Sequence, residues 1–549
     1  MRLAHALLFP LVVAAPLACG CGTKDSRPQV STALEELVAG KPSSEVTAAL
    51  WKEVGEFYKQ RNGKPAWVDD KYTSRQAADA LQVIRSARDH GFDPEDYGES
   101  RIIQAHQALA QSDKDAPDRA ARLADFDARV TASLLALGHD VAIGRTKPQT
   151  LDPRWKSRRA APDLVGTLVR AADGHVKTWL DEMKPPHAAY AALQKAFVDL
   201  RGQQEKGGWP VVPRGTFKPG KSDPAVVILR QRLAACGQLA EDAASSSSPV
   251  YDSNLQSAVK AFQGLHALKA TGIVDAATLA ALNVPLTERI RQVAINLERW
   301  RWMPDDLGAR HFLVNIPYFH LLARENGKTV MDIRVVVGKR GNETPIFSDE
   351  MEYVVFSPYW NIPDSIVAGE TAPAVARDPG YLARNNIEIL RVSKHGAHPV
   401  DAATVDWSDP GQLRELAFRQ RPGDKNALGH VKFLFPNDFD VYLHDTPADS
   451  LFQRTGRAFS HGCVRVEEPE TLAKYVLRDQ PEWDGPKILH AMYSGNEQHV
   501  KLKEKIPVHI AYFTAWVDEN GGLHFQPDVY GYDAKQVAPV GKNARLLTT

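Results

Sequence analysis

Two short segments in the last quarter of this 549-residue chain contain the residue types that a cysteine-based catalyst needs. The first reads Val-Tyr-Leu-His-Asp-Thr and places His444 at the end of a strand-like run. The second reads Ser-His-Gly-Cys-Val-Arg-Val and contains Cys463. A thiol attacks as its thiolate, and a neighbouring imidazole can take its proton, so we expect the pKa of Cys463 to be lowered. The pair therefore predicts acyl transfer through Cys463, with an inert core cysteine as the alternative.

The residues beside the cysteine suit the same chemistry. Gly462 has no side chain, so the backbone there can approach a ligand or adopt a positive φ. The N–H groups of Gly462 and Cys463 are candidate oxyanion-hole donors. His461 is a second candidate for the base, or a residue that orients the substrate. The side chain or backbone carbonyl of Asp445 is a candidate for orienting the imidazole of His444.

Arg465 lies two residues after the candidate nucleophile. On an extended segment, residues two apart point to the same face, so Arg465 is expected on the face of Cys463. A guanidinium there suits the carboxylates of a peptide substrate. A salt bridge to Glu467 or Glu468 is the alternative for this arginine.

The longer segments YLHDTPA and SHGCVRVEEP, with this spacing between them, resemble the signature of the L,D-transpeptidase (YkuD-type) catalytic domain. The resemblance is strongest to its large periplasmic, YcbB-like subfamily. It implies a cysteine-thioester enzyme of peptidoglycan biosynthesis, and so a role in cell-wall biogenesis and cell shape. The implied donor is a tetrapeptide stem ending in D-Ala. The implied product is a 3→3 cross-link between diaminopimelate residues, formed without metal or cofactor, and carbapenems are expected to react with Cys463.

The same resemblance extends to a Pro-Tyr-Trp-Asn-Ile-Pro segment before a long insertion. It implies that Tyr359, Trp360 and Asn361 line the donor cleft, and that Ser460 and Arg465 contact the stem. Core packing is the alternative for Trp360.

The composition favours no nucleic-acid or anionic-membrane partner, because the formal net charge is zero and the pI is about 7.3. The length predicts two to four domains. Residues 1–22 have the short positive start and apolar run of a secretory signal, so we expect export to the periplasm. Lipid attachment at Cys19, simple cleavage and an uncleaved membrane anchor are the alternatives for this segment.

The pattern before residue 300 is mostly helical. Residues 23–45 are polar and predict a tether, and 46–215 predict a helical domain whose segments FYKQRNGKPAWVDD and HGFDPEDY resemble the family's scaffold region. A unit of three helices is expected over 223–284, where KAFQGLHALKATGIVDAATLAALN resembles the small peptidoglycan-binding module. A bundle used only for structure is the alternative.

After residue 300 the apolar residues recur with the two-residue period of β-strands instead of the helical period. Residues 295–535 predict a β-rich catalytic domain with attached helices, and 536–549 a tail, so the fold class is multidomain α+β. The insertion at 366–428 has no sustained strand period, and the resemblance implies a lid.

Other functions remain open at this stage. The same thioester supports an L,D-carboxypeptidase or hydrolase, or transfer to another amine. A zinc site of His444, His461 and Cys463 is a different class, although a fourth ligand is not evident. A non-catalytic wall-binding protein is the third alternative.

Overall fold

The computed structural model describes residues 27–42, 46–68, 72–157 and 159–536. The predicted signal at 1–22, with Cys19, and the tail beyond 536 lie outside the described residues. Within the described part, helices dominate up to residue 300 and strands follow, which confirms the α+β class. Among these residues, none of the helices is both long and apolar enough to span a bilayer.

The N-terminal region packs around one long central helix. Val30 and Leu34 are fully buried in its core, so the stretch predicted as a tether contains a docked helix instead. Residues four apart share one face of a helix, which is why this mostly polar segment still has an apolar side. The helices are α1 (Arg27–Ala39), α2 (Ala48–Gln60), α3 (Arg75–Arg85), α4 (Glu99–Gln111), α5 (Arg119–Ile143), α6 (Leu164–Ala171) and α7 (Val176–Met183).

The next helix, α8 (Ala188–Glu205), leaves this bundle. Its apolar residues, such as Tyr190 and Phe197, pack in another cluster together with Val293 and Phe513. The predicted helical domain of 46–215 is therefore divided near residue 188, and α8 joins the C-terminal part of the molecule.

A compact helical unit follows, as predicted. Leu229, Val259 and Phe262 are fully buried in its core, and Phe217 pairs with Val274 in an isolated bridge. Its helices are α9 (Ala225–Ala235), α10 (Glu241–Ala244), α11 (Ser253–Leu265) and α12 (Ala276–Leu282), and α13 (Leu286–Trp300) connects it to the strands.

The C-terminal region is a mixed β-barrel. Its strands are β1 (Arg310–Asn315), β2 (His320–Glu325), β3 (Lys328–Gly338), β4 (Ser348–Phe356), β9 (Val431–Leu434), β10 (Leu443–His444), β11 (Ala458–Ser460), β12 (Val464–Val466) and β13 (Gln498–Ala511). They hydrogen-bond in the order β11-β3-β12-β10-β9-β4-β13-β1-β2, and β2 also pairs with β3, so the sheet closes on itself. This sheet confirms the β-rich character predicted for the chain after residue 300.

The helices α18 (Pro469–Val476) and α19 (Gly485–Tyr493) cover the barrel core, and β14 (Ala515–Val517) and β15 (Leu523–Phe525) form a separate hairpin.

The insertion has its own fold, which the sequence pattern did not predict. Its sheet has the order β5-β8-β6-β7 and encloses a small core that includes Ile389 and Phe418. A π-helical turn, Val367–Thr371, lies near its start. Its strands are β5 (Trp360–Ile362), β6 (Ile387–Ser393), β7 (Gly396–Pro399) and β8 (Ala417–Gln420), and its helices are α14 (Asp364–Ile366), α15 (Ala372–Arg377), α16 (Tyr381–Arg384) and α17 (Pro410–Arg414).

Candidate active site

The two candidate catalytic segments become neighbouring parallel strands of the barrel. In the pairing of β10 with β12, His444 is opposite Arg465, and the Val464 N–H donates to the Tyr442 carbonyl at 3.1 Å. Paired residues point to the same side of a sheet, and so do residues two apart along one strand. His444, Tyr442, Arg465 and Cys463 therefore share one face.

The position of one proton on His444 follows from its hydrogen bond. The ring is buried, with 4% of the residue exposed, and its Nδ1 lies 2.5 Å from the backbone oxygen of Asp445. A carbonyl only accepts, so Nδ1 carries the hydrogen. Burial and, to a smaller extent, the charge of Arg465 together lower the pKa of His444 to about 3. The imidazole is consequently neutral at physiological pH, and Nε2 holds the lone pair that a general base needs.

Cys463 is half-buried and free of any disulfide. Burial raises the pKa of its thiol, while the Tyr442 N–H and hydroxyl and the charge of Arg465 act to lower it. The sequence argument had expected a lowered pKa, and burial reverses that direction. The Sγ atom donates to the carbonyl of Asp440 at 3.7 Å and makes no hydrogen bond to His444. The resting pair is therefore a neutral thiol beside a neutral imidazole.

The loop that presents the thiol is fixed by its own polar groups. The Ser460 hydroxyl donates to the Cys463 carbonyl at 2.6 Å and accepts from the Gly462 N–H at 3.2 Å. Ser460 is only 2% exposed, so its hydroxyl holds the loop and does not face a stem, which corrects its expected role. The Gly462 carbonyl accepts from the buried Thr344 hydroxyl at 2.8 Å.

The expected oxyanion hole changes accordingly. Gly462 adopts φ +126°, and a Cβ there would meet no atom within 4 Å, so this backbone is open to an approaching ligand. The Gly462 N–H nevertheless already donates a hydrogen bond to the Ser460 hydroxyl, so it is not available to an oxyanion. The Cys463 N–H has no partner within the described part of the chain, and it is the remaining candidate donor.

Arg465 makes no salt bridge in the part of the chain that the structure describes. Glu467, one of its expected alternative partners, is paired with Arg334 instead. The Nε atom of Arg465 is buried without a hydrogen-bond partner. A guanidinium left unpaired beside a nucleophile is available to a carboxylate ligand.

The Tyr-Trp-Asn segment lies at the start of the insertion. Trp360 packs against the insertion's own core, so the structure supports the packing alternative for this residue. Tyr359 lies under the guanidinium of Arg419, with 4.2 Å from Cζ to the ring centroid, and its N–H donates to Glu497 at 2.9 Å. Asn361 is exposed. Within the described residues, no hydrogen bond, ion pair or ring contact joins these residues to the Ser460–Val466 loop.

His461 connects the catalytic loop to the insertion. Its Nε2 lies 2.9 Å from a carboxylate oxygen of Glu370, in the π-helical turn, and 3.5 Å from Nζ of Lys339. A ring nitrogen occupied in this way is not free to act as the base, so this geometry favours His444.

Sequence reasoning missed several residues of the site. The alternation of Tyr442 with His444 along one strand was a usable signal for Tyr442. Thr344, Lys339 and Glu370 are remote in the chain and carried no local signal.

The described residues contain no group of three or more His, Cys, Asp or Glu side chains arranged to hold a metal ion. The geometry therefore gives no support to a zinc site built from His444, His461 and Cys463.

Comparison with known families assigns these regions. Residues 309–501 match the model of the L,D-transpeptidase catalytic domain (YkuD), residues 222–282 match the "Putative peptidoglycan binding domain", and residues 52–197 match a scaffold domain. The chain therefore contains one region that matches an L,D-transpeptidase catalytic domain and another that matches a peptidoglycan-binding domain. Domains that act on peptidoglycan imply a cell-wall or periplasmic location.

Two known proteins are similar to parts of this chain. The "Putative L,D-transpeptidase" of Haemophilus influenzae is 35% identical over 243 residues, which is 44% of this chain and 48% of the relative. The match thus spans about half the length of that protein. The crystal structure of the L,D-transpeptidase from Xylanimonas cellulosilytica is 15% identical and covers 54% of this chain and 98% of its own, with a TM-score of 0.16.

Proposed function

We propose that this protein is an exported L,D-transpeptidase that forms 3→3 cross-links in peptidoglycan through a thioester on Cys463. The observation that carries the proposal is the shared face of β10 and β12. It brings a neutral imidazole with a free Nε2, a thiol and an unpaired guanidinium onto adjacent strands.

The first half-reaction is acylation. Nε2 of His444 takes the thiol proton as Sγ attacks the carbonyl carbon at the L centre of diaminopimelate. A rotation of the Cys463 side chain away from the Asp440 carbonyl precedes this step, because the resting thiol donates there. The new oxyanion is stabilised by the free Cys463 N–H. Nε2 then returns the proton to the departing nitrogen, the C–N bond breaks, and D-Ala leaves as an amine.

The second half-reaction is transfer. The side-chain amine of another diaminopimelate attacks the thioester carbon, and Nε2 of His444 accepts its proton. The C–S bond breaks, and the proton returns to the sulfur. Water attacking the same thioester would give the L,D-carboxypeptidase reaction, and another amine would give a different conjugate.

Arg465 has two roles in this scheme. Its charge attracts a stem carboxylate, and it disfavours the imidazolium form of His444 while favouring the thiolate of Cys463. It thereby keeps the imidazole of His444 neutral and lowers the cost of the negative charge that develops on the sulfur of Cys463. The Glu370–His461 contact supports a capping role for the insertion over the donor site.

Intact-mass measurement with a carbapenem tests this proposal. One covalent adduct on the wild-type protein, lost in Cys463→Ala, is the expected result. Cys236→Ala is the matched control, because it removes the other described thiol and should leave the adduct unchanged. An adduct that persists in Cys463→Ala, or wild-type protein that remains unmodified, would contradict the proposal.

A further inference from the structure

A second cavity lies on the barrel away from the cysteine loop. It has a volume of about 680 Å³, within the roughly 300–1,000 Å³ range of small-molecule sites, and none of its lining residues belongs to Ser460–Val466. Its walls are the start of α8, the strands β1 and β2, and the β14–β15 hairpin. Five aromatic side chains form part of the lining, namely Trp300, Tyr318, Phe513, Trp516 and His524.

Two buried polar atoms in this lining lack partners in the described part of the chain. One is the Nε1–H donor of Trp300, a residue 4% exposed, and the other is Nδ1 of His524, a residue 9% exposed. Nε2 of His524 lies 2.8 Å from the Asp518 carboxylate, so in the neutral ring Nε2 carries the hydrogen and Nδ1 accepts. Because buried polar groups are normally satisfied, this unused donor and this unused acceptor are the groups that a ligand of the cavity could pair with.

The charges of the cavity restrict the class of ligand. Carboxylates outnumber cations in the lining, which disfavours an anionic ligand such as a stem peptide. Those carboxylates are engaged within the protein. Asp332 binds His320 at 2.5 Å, and Glu519 binds Arg324 at 3.0 Å. A cationic ligand would therefore gain little binding energy from these carboxylates. A neutral ligand with an apolar face, one acceptor for Trp300 and one donor for His524 fits best.

The position of the cavity connects it with the peptidoglycan-binding domain. The β14–β15 hairpin carries Trp516 and His524 on the cavity side. It also contacts α11, where Leu265 packs against Gly522 and the His266 ring lies 5.5 Å from Phe525. The cavity and the peptidoglycan-binding domain are therefore adjacent through this hairpin.

We infer that this cavity is a subsite for the neutral, N-acetylated glycan of the wall. Sugar rings present C–H faces to the aromatic side chains. An acetamido carbonyl accepts from Trp300 Nε1–H, and a hydroxyl or amide hydrogen donates to His524 Nδ1. The inference rests on the proposed action on peptidoglycan, and it adds a site that grips glycan separately from the stem-peptide site at Cys463.

Titration calorimetry of the full chain with a tetramer of N-acetylglucosamine tests the inference. Ala189→Trp fills the cavity from α8 while leaving its aromatic residues in place, and it should weaken binding by at least about tenfold. Ala191→Trp is the matched control, since this residue is on the same helix but exposed and outside the lining. Trp516→Ala removes one aromatic wall and should also cause a loss of about tenfold or more.

Carbapenem acylation of Cys463, measured on the same variants, separates this inference from the proposed function. The expected result is weakened sugar binding with unchanged acylation and unchanged melting temperature. Sugar binding that is equal in Ala189→Trp, Ala191→Trp and wild type would place the ligand elsewhere, and absence of binding to wild type would also overturn the subsite. If either of these results is found while Cys463 is still acylated, the subsite is refuted and the proposed function is not. If the wild-type protein is not acylated at all, the proposed function is refuted.

Discussion

The charge of Arg465 beside Cys463 gives a quantitative prediction about the reactivity of the thiol. Arg465→Met keeps most of the side-chain volume and removes the cation. Residues two apart along one extended segment are separated by about 6.7 Å, which places the guanidinium and the sulfur roughly 7 Å apart. Two unit charges at that distance interact by about 2 kcal/mol at an effective dielectric constant of about 20. This equals roughly 1.5 pKa units, and solvent screening of a half-buried side chain reduces it to about one unit.

The expected change in rate is smaller than the change in thiolate fraction. Removing the cation raises the pKa of Cys463 further, so the thiolate fraction below that pKa falls about tenfold. A more basic thiolate is also more nucleophilic, with a Brønsted coefficient of about 0.4–0.5, so the net rate falls only about three- to fourfold.

Alkylation by iodoacetamide measures this effect, because the reagent is neutral and does not need Arg465 for binding. The rate is followed by the mass of the peptide that contains Cys463, over a range of pH. In the wild type the rate should rise throughout the neutral range, because burial holds the thiol pKa above its usual value. Arg170→Met is the control, since it removes one positive charge from an exposed position on α6.

Two outcomes would refute this reasoning. A plateau of fast alkylation extending well into the acidic range would indicate a preformed thiolate–imidazolium pair. Faster alkylation of Arg465→Met would show that the guanidinium does not stabilise the thiolate.

Three further predictions concern the same loop. His444→Ala should slow acylation by roughly 10²–10⁴-fold with little change in melting temperature, as stopped-flow measurement with a carbapenem would show, and near wild-type rates would exclude this residue as the base. Ser460→Ala leaves the Gly462 N–H and the Cys463 carbonyl unpaired, so calorimetry should show a loss of about 1–3 kcal/mol, and unchanged stability would contradict the loop's role. Glu370→Gln breaks an exposed contact worth about 0–1 kcal/mol, so acylation by a stem substrate should fall by at most fivefold or so, and a greater fall would mean that Glu370 contacts substrate.

The proximity of His444 and Cys463 was predictable because each residue belongs to a short local motif. The alternation of residues on a strand also predicts, from the sequence alone, that Arg465 and Cys463 lie on one face. The orientation of His444 by a backbone carbonyl was foreseen as one of two options for Asp445. The upward shift of the Cys463 pKa was not foreseen, because the burial that causes it depends on the tertiary packing of the loop.

The missed features have physical causes. The strands of the insertion escaped prediction because β7 is exposed along its whole length and β6 buries only Ile389 and Leu390, so neither shows a clean alternation. Helix α1 was hidden by its polar composition. Ser460 was predicted to contact the substrate because a sequence cannot show that its hydroxyl both donates and accepts a hydrogen bond within its own loop.

Incubation with disaccharide-tetrapeptides tests the central claim most directly, with the products analysed by tandem mass spectrometry. The account predicts dimers joined between two diaminopimelate residues, release of D-Ala, and a transient acyl group on Cys463. All three should be absent from Cys463→Ala. Dimers formed equally by Cys463→Ala, or release of D-Ala by wild type with monomeric tripeptide as the sole product, would contradict it.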